Sequence, residues 1–211
     1  MGMTCQIFQI LNNFKTTEKK NVIFYKIFNW KLSCKVQPKN RSELIDIIEG
    51  TIAKEGNKCD LNFIDVSKVK YMRNMFAWSE FNGDISKWDV SKVKYMRNMF
   101  ACSKFNGDIS KWNTSNVKDM GSMFMNSDFN GNISKWDTSN VEYMNSMFSD
   151  SKFNQDISKW DVSSVKYMYL MFFRSDFNGD ISKWNVSSVE NMEGMFYGSP
   201  LEGNEPKWYK E

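Results

Sequence analysis

The 211 residues carry 28 Lys and Arg against 25 Asp and Glu, so the formal charge is only +3 and charge alone argues against a nucleic-acid binder. Histidine is absent, which removes a Ser-His-Asp triad and histidine-ligated zinc. Twelve of the 15 methionines and six of the eight tryptophans recur at one fixed interval, so the compositional bias is a product of repetition.

Residues 1–14 are weakly apolar (Ile7, Phe8, Ile10, Leu11), lack a basic lead and are interrupted by Gln6, Gln9, Asn12 and Asn13; they read as a poor signal peptide. No run reaches the roughly 18 apolar residues of a membrane span. Lys15 to Lys20 reads as a polar loop, and 22–28 and 30–36 are strand-like. A helix is expected over 42–54, its apolar face made by Leu44, Ile45, Ile47, Ile48 and Ile52, with Gly56 just past its end. Residues 1–56 thus form an N-terminal region whose helix covers the first repeat.

From 57 to 200 the chain repeats every 24 residues, six times: 57–80, 81–104, 105–128, 129–152, 153–176 and 177–200. Phe-Asn recurs from Phe81 to Phe177, tryptophan at Trp88, Trp112, Trp136, Trp160, Trp184 and Trp208, and Met-x-x-Met-Phe from Met72 to Phe196. A broken seventh copy, 201–211, puts Leu201 in place of Phe and Glu205 in place of the apolar Ile, then Pro206, and reads as a C-terminal cap with Trp208 as its lid.

One unit reads F-N-G-D-I-S-K-W-D-V-S-K-V-K-Y-M-R-N-M-F-A-C-S-K. Alternation around Trp88 and Val90 predicts a short strand. Val93, Met96, Met99 and Phe100, spaced three, three and one, predict a helix of about two turns capped by Ser91. The expected fold is therefore an α/β repeat solenoid, leucine-rich-repeat-like, with one short parallel strand and one short helix per coil. Trp88, Trp112, Trp136, Trp160, Trp184, Met96, Met99 and Phe100 would be core.

The motif F-N-x-D-I-S-x-W-[DN]-[VT]-S-x-V-x-x-M-x-x-M-F resembles the unit of the BspA-like leucine-rich-repeat surface proteins, a repeat long catalogued as a mycoplasma-type domain of unknown function. The resemblance implies a leucine-rich-repeat-like stack, a cell-surface or secreted location, and adhesion or protein binding.

Two columns are candidate binding faces. Lys87, Lys111, Lys135, Lys159 and Lys183 form one, beside Asp65, Asp89, Asp137 and Asp161, which would neutralise it. Tyr71, Tyr95, Tyr143 and Tyr167 share another with Asp119 and Asn191, next to Arg73, Arg97, Gly121, Asn145, Tyr169 and Glu193; aromatics with Arg are what interfaces favour. Asn82, Asn106, Asn130, Asn154 and Asn178 look like an amide ladder. The four cysteines are scattered and read as free thiols. No catalytic motif is present and no cofactor or metal is implied. The expected function is a non-enzymatic module that binds a protein or polysaccharide along one extended face, as a monomer or with weak end-to-end self-association. The alternative is an intracellular or particle-associated scaffold with no host ligand.

Overall fold

A computed structural model of the chain describes residues 35–210. The strand-like segment expected over 22–28, residues 30–34 of the one expected over 30–36, the loop at 15–20, Cys5 and Cys34 lie outside the described residues. The chain divides into two units, Met1–Val36 and Gln37–Glu211.

In the second unit, helix α1 spans Arg41–Glu55. The Asn40 side chain caps it by accepting the Glu43 N–H, and Gly56, at φ 87°, closes it by donating its own N–H to the Ile52 carbonyl. Leu44 and Ile48 are its buried face and join the core of the repeats.

The coils do not have the expected α/β make-up. Among the described residues α1 is the one α-helix, and parallel pairing is confined to isolated bridges such as Tyr71 to Tyr95 and Tyr95 to Asp119. The strand expected around Trp88 and Val90 is replaced by tight turns. Asp84 accepts the Ser86 N–H and Asp89 accepts the Ser91 N–H, which folds the chain back at both places. Trp88 and Val93 then donate their backbone N–H groups to the carbonyls of Ile85 and Val90. Ser91 is thus the far end of an Asx turn and caps no helix.

The expected helix fails for a different reason. Asn98 and Cys102 adopt φ of 55° and 54°, and the same two positions are left-handed in every coil, ending with Gly194 and Gly198. A right-handed helix cannot pass through such residues. Instead the amides alternate. Met96, Asn98, Phe100 and Cys102 donate to the carbonyls of Asp119, Gly121, Met123 and Met125 in the next coil, at 2.8, 3.0, 2.9 and 2.8 Å. Met99 and Ala101 turn back to Met96 and Asn98. Each coil therefore satisfies its backbone half locally and half through its neighbour. Pairing between coils runs through the segment expected to be helical.

The repetition places equal side chains over one another. Phe76, Phe100, Phe124, Phe148, Phe172 and Phe196 stack with ring centroids 5.5–6.0 Å apart. A second column, Phe81 to Phe177, stacks at 6.1–6.3 Å. All are buried, as are Met96, Met99 and the tryptophans Trp88, Trp112, Trp136, Trp160 and Trp184. Each of these indole N–H groups donates to a carbonyl of the preceding coil, Trp88 to Leu61, Trp112 to Ile85 and Trp136 to Ile109, so the large apolar ring is buried without orphaning its one donor. The Asn column is a ladder of side chain to backbone: Asn82, Asn106 and Asn130 each accept the N–H of the asparagine 24 residues on, at 2.9 Å. At the far end Trp208 stacks on Trp184 and donates to the Ile181 carbonyl, while Tyr209 meets Phe196 edge-on. Glu205 stays exposed.

Candidate interaction face

A coil that spends its recurring residues on the core leaves the rest to its surface, and the two candidate columns sit on different segments of it. Lys87, Lys111, Lys135, Lys159 and Lys183 are all exposed, each inside the turn between the buried Ile and Trp. The Asp three residues earlier shares that turn. Asp108 and Asp156 are held below the usual carboxylate range, first by the hydroxyl and then by the N–H of Ser110 and Ser158, with Lys111 and Lys159 adding to the effect. Along this column each lysine is thus accompanied by its own compensating carboxylate or, at Lys135, by Asn132.

The tyrosine column lies on the bridge positions, and the structure splits it in two. Tyr71, 54% exposed, stacks on Tyr95 with centroids 5.1 Å apart and planes 4° from parallel. Tyr143 stacks on Tyr167 at 5.4 Å. Between the pairs stands Asp119. The Tyr167 hydroxyl donates to Glu190 at 2.8 Å, and this bond holds the phenol above its usual titration range.

Asp119 is the centre of a network that breaks the repeat. Its side chain is only 5% exposed, yet it takes two guanidinium groups: Arg73 Nη2 at 2.9 Å and Arg97 Nε at 3.1 Å, both on Oδ2. The other oxygen accepts the Gly121 N–H at 3.0 Å. Arg97 also donates to the buried Asn145 at 3.2 Å. Gly121 matters here by having no side chain, because a Cβ at that position would fall 2.8 Å from Arg97 Nη2. Arg73 in turn lies over the Tyr95 ring, 4.7 Å from its centroid. The structure thus joins Tyr71, Tyr95, Arg73, Arg97 and Asp119 into one linked cluster, and the Lys87 column lies on a different segment of the coil.

Sequence reasoning placed Asp119 and Gly121 in their columns but missed their coupling. The available signal was that unit 105–128 alone puts a carboxylate in the tyrosine column and a glycine two residues on in the arginine column. Two further aromatic sites are exposed. Trp78 is 80% exposed; at the other end Tyr197 stacks on Phe173 at 5.6 Å, with Arg174 over that ring.

Among the described residues Cys59 and Cys102 are free thiols, no three Cys, Asp or Glu side chains gather as a metal site would require, and no helix is long and apolar enough to cross a membrane. Met96 and Met99 are wholly buried among phenylalanines.

These features define a repeat protein whose 24-residue coils share one core and differ along one face. The chain belongs to the family described as Mycoplasma protein of unknown function, DUF285, whose profile matches twice, over residues 48–128 and 125–208. No curated protein and no solved structure matches it.

Proposed function

We propose that the protein is a binding module that takes a protein or polysaccharide partner on the tyrosine and arginine columns of its bridge face, at a cell surface, as the resemblance to BspA-like surface proteins implies. One observation carries this reading. Tyr71 and Tyr95 are held as a parallel, solvent-facing stack whose neighbours Arg73 and Arg97 are fixed by a buried carboxylate. Aromatic rings and guanidinium groups immobilised before binding lose little entropy on contact, which is how interface anchors gain affinity. The core columns repeat almost without change, whereas these columns read Tyr, Tyr, Asp, Tyr, Tyr, Asn and Arg, Arg, Gly, Asn, Tyr, Glu. Variation of that kind on a constant scaffold is what specificity requires.

The test uses the full chain on beads, offered to intact cells and to surface polysaccharide, beside a Tyr71→Ala/Tyr95→Ala variant. Retention by the unaltered chain and loss by the variant, with equal thermal stability, is the expected result. Equal retention by both proteins defeats the assignment of this face.

A further inference from the structure

We propose that the basic end of this face, the groove between residues 37–41 and 65–71, is a docking site for an acidic peptide segment of another protein. The inference rests on the reading of the chain as a binding module and adds where the partner enters and what charge it carries. The groove encloses about 660 Å³, within the range of specific ligand sites. Four cations, Lys39, Arg41, Lys68 and Lys70, line it against one carboxylate, Asp65, which accepts from Gln37 as Lys68 donates to that same amide; Tyr71 and Val69 supply its apolar wall.

On two columns the positive charge is concentrated at this end. In the column that begins at Lys68 the six coils read Lys, Lys, Asn, Asn, Ser, Ser; in the one that begins at Lys70 they read Lys, Lys, Lys, Glu, Lys, Glu. Lys118, the third of the second column, is neutralised by Glu142 at 2.9 Å. The ammonium groups of Lys70, Lys92 and Lys94 form no ion pair among the described residues, and at Lys39 the Glu43 carboxylate is taken up by the backbone N–H. The Lys94 N–H donates to the Lys70 carbonyl, so the two side chains leave the surface one coil apart, about 4.8 Å by the usual spacing of paired backbones. Like charges leaving the surface side by side repel each other. An acidic partner turns that repulsion into attraction.

The arginines indicate which kind of anion fits. Arg41 Nη2 donates to the Arg73 carbonyl at 2.6 Å, and Arg73 and Arg97 are spent on Asp119. Each of these guanidinium groups is thus already held by the protein through at least one N–H, whereas Lys70, Lys92 and Lys94 at this end stand as free point charges. Spaced lysines beside an exposed tyrosine suit carboxylate side chains on an extended peptide.

The test is fluorescence anisotropy on the full chain with four labelled probes: a ten-residue peptide of Glu, Gly and Tyr, its Gln-for-Glu and Lys-for-Glu counterparts, and a ten-nucleotide oligo-dT. The Glu peptide is expected to bind, and its affinity to fall about tenfold or more between 50 and 300 mM salt. A Lys70→Glu/Lys94→Glu variant should weaken it about tenfold, whereas Lys207→Glu/Lys210→Glu, with the same change in net charge, should stay within about twofold. Thermal melts establish that both variants fold. The proposal is overturned if the Gln peptide binds as well as the Glu peptide, if oligo-dT binds more tightly, or if the two variants behave alike. Should the Glu peptide not bind while the chain still retains a surface partner through Tyr71 and Tyr95, only this inference fails; if neither binds, the binding module fails with it.

Discussion

Replacing Asp119 separates the charge of this network from its shape. The carboxylate is nearly sealed from water at 5% exposure and accepts from Arg73, Arg97 and the Gly121 N–H. Hydrogen bonds to a charged group are worth roughly 1.5–3 kcal/mol each, but Arg73 and Arg97 are 46% and 34% exposed and recover water when released. We therefore expect Asp119→Ala to cost about 2–3 kcal/mol in total, most of it from the Gly121 amide and the better-buried Arg97. Asp119→Asn keeps an oxygen for Gly121 and should cost only about 1 kcal/mol. Urea unfolding followed by tryptophan fluorescence measures both, with an unchanged m-value showing that the denatured state is the same. Double-mutant cycles should give a coupling of about 1–2 kcal/mol with Arg97→Ala and less, more salt-sensitive, with Arg73→Ala. Equal costs for Ala and Asn, or couplings below about 0.3 kcal/mol for both arginines, would refute the network as a rigid charged centre.

Two other expectations concern the scaffold. Phe124 is fully buried between Phe100 at 5.7 Å and Phe148 at 5.9 Å, with Phe129 at 4.1 Å, so Phe124→Ala should cost about 3–5 kcal/mol in the same unfolding assay; a cost below about 1 kcal/mol would mean the columns do not carry the stack. Asp161 sits below the usual carboxylate value of 3.8, first because the Ser163 hydroxyl donates to it and then because the Ser163 N–H does; Asp89 is held down in the same way by Ser91. A depressed carboxyl stabilises the fold above its unfolded value and loses that contribution as pH falls through the folded one. Stability should therefore hold from neutrality down to about pH 4 and decline below it. Ser163→Ala should move the Asp161 titration upward in an NMR pH series, and an unmoved titration would count against the turn as its cause.

Much of the core was readable from the chain because burial repeats with the sequence: a column that must be Phe or Trp in every coil has a neighbour above and below it. The local backbone was not readable by the same route. Turns that recur every three residues place Met96, Met99 and Phe100 as a helix would, and period alone does not tell them apart. The discriminating signal lay in the positions between. The column Trp78, Cys102, Asn126, Asp150, Arg174, Gly198 looks merely tolerant, yet its Asn, Asp and Gly members are the residues that enter the left-handed region most readily. Asp-Ile-Ser and Asp-Val-Ser were likewise two turn signatures inside what alternation presented as a strand. For the candidate face, the exposed tyrosines could be placed by their register. The Asp119 centre could not, because it depends on side chains reaching across coils, with Arg73 arriving from 46 residues away.

Backbone carbon chemical shifts and HN–Hα couplings across residues 93–103, and across their equivalents in the other coils, test the turn-built coil most directly. Positive φ at Asn98 and Cys102, with no unbroken helical run between Val93 and Ser103, is the result predicted. A continuous two-turn helical signature in each coil would contradict it, and with it the placement of the tyrosine and arginine columns on a shared face.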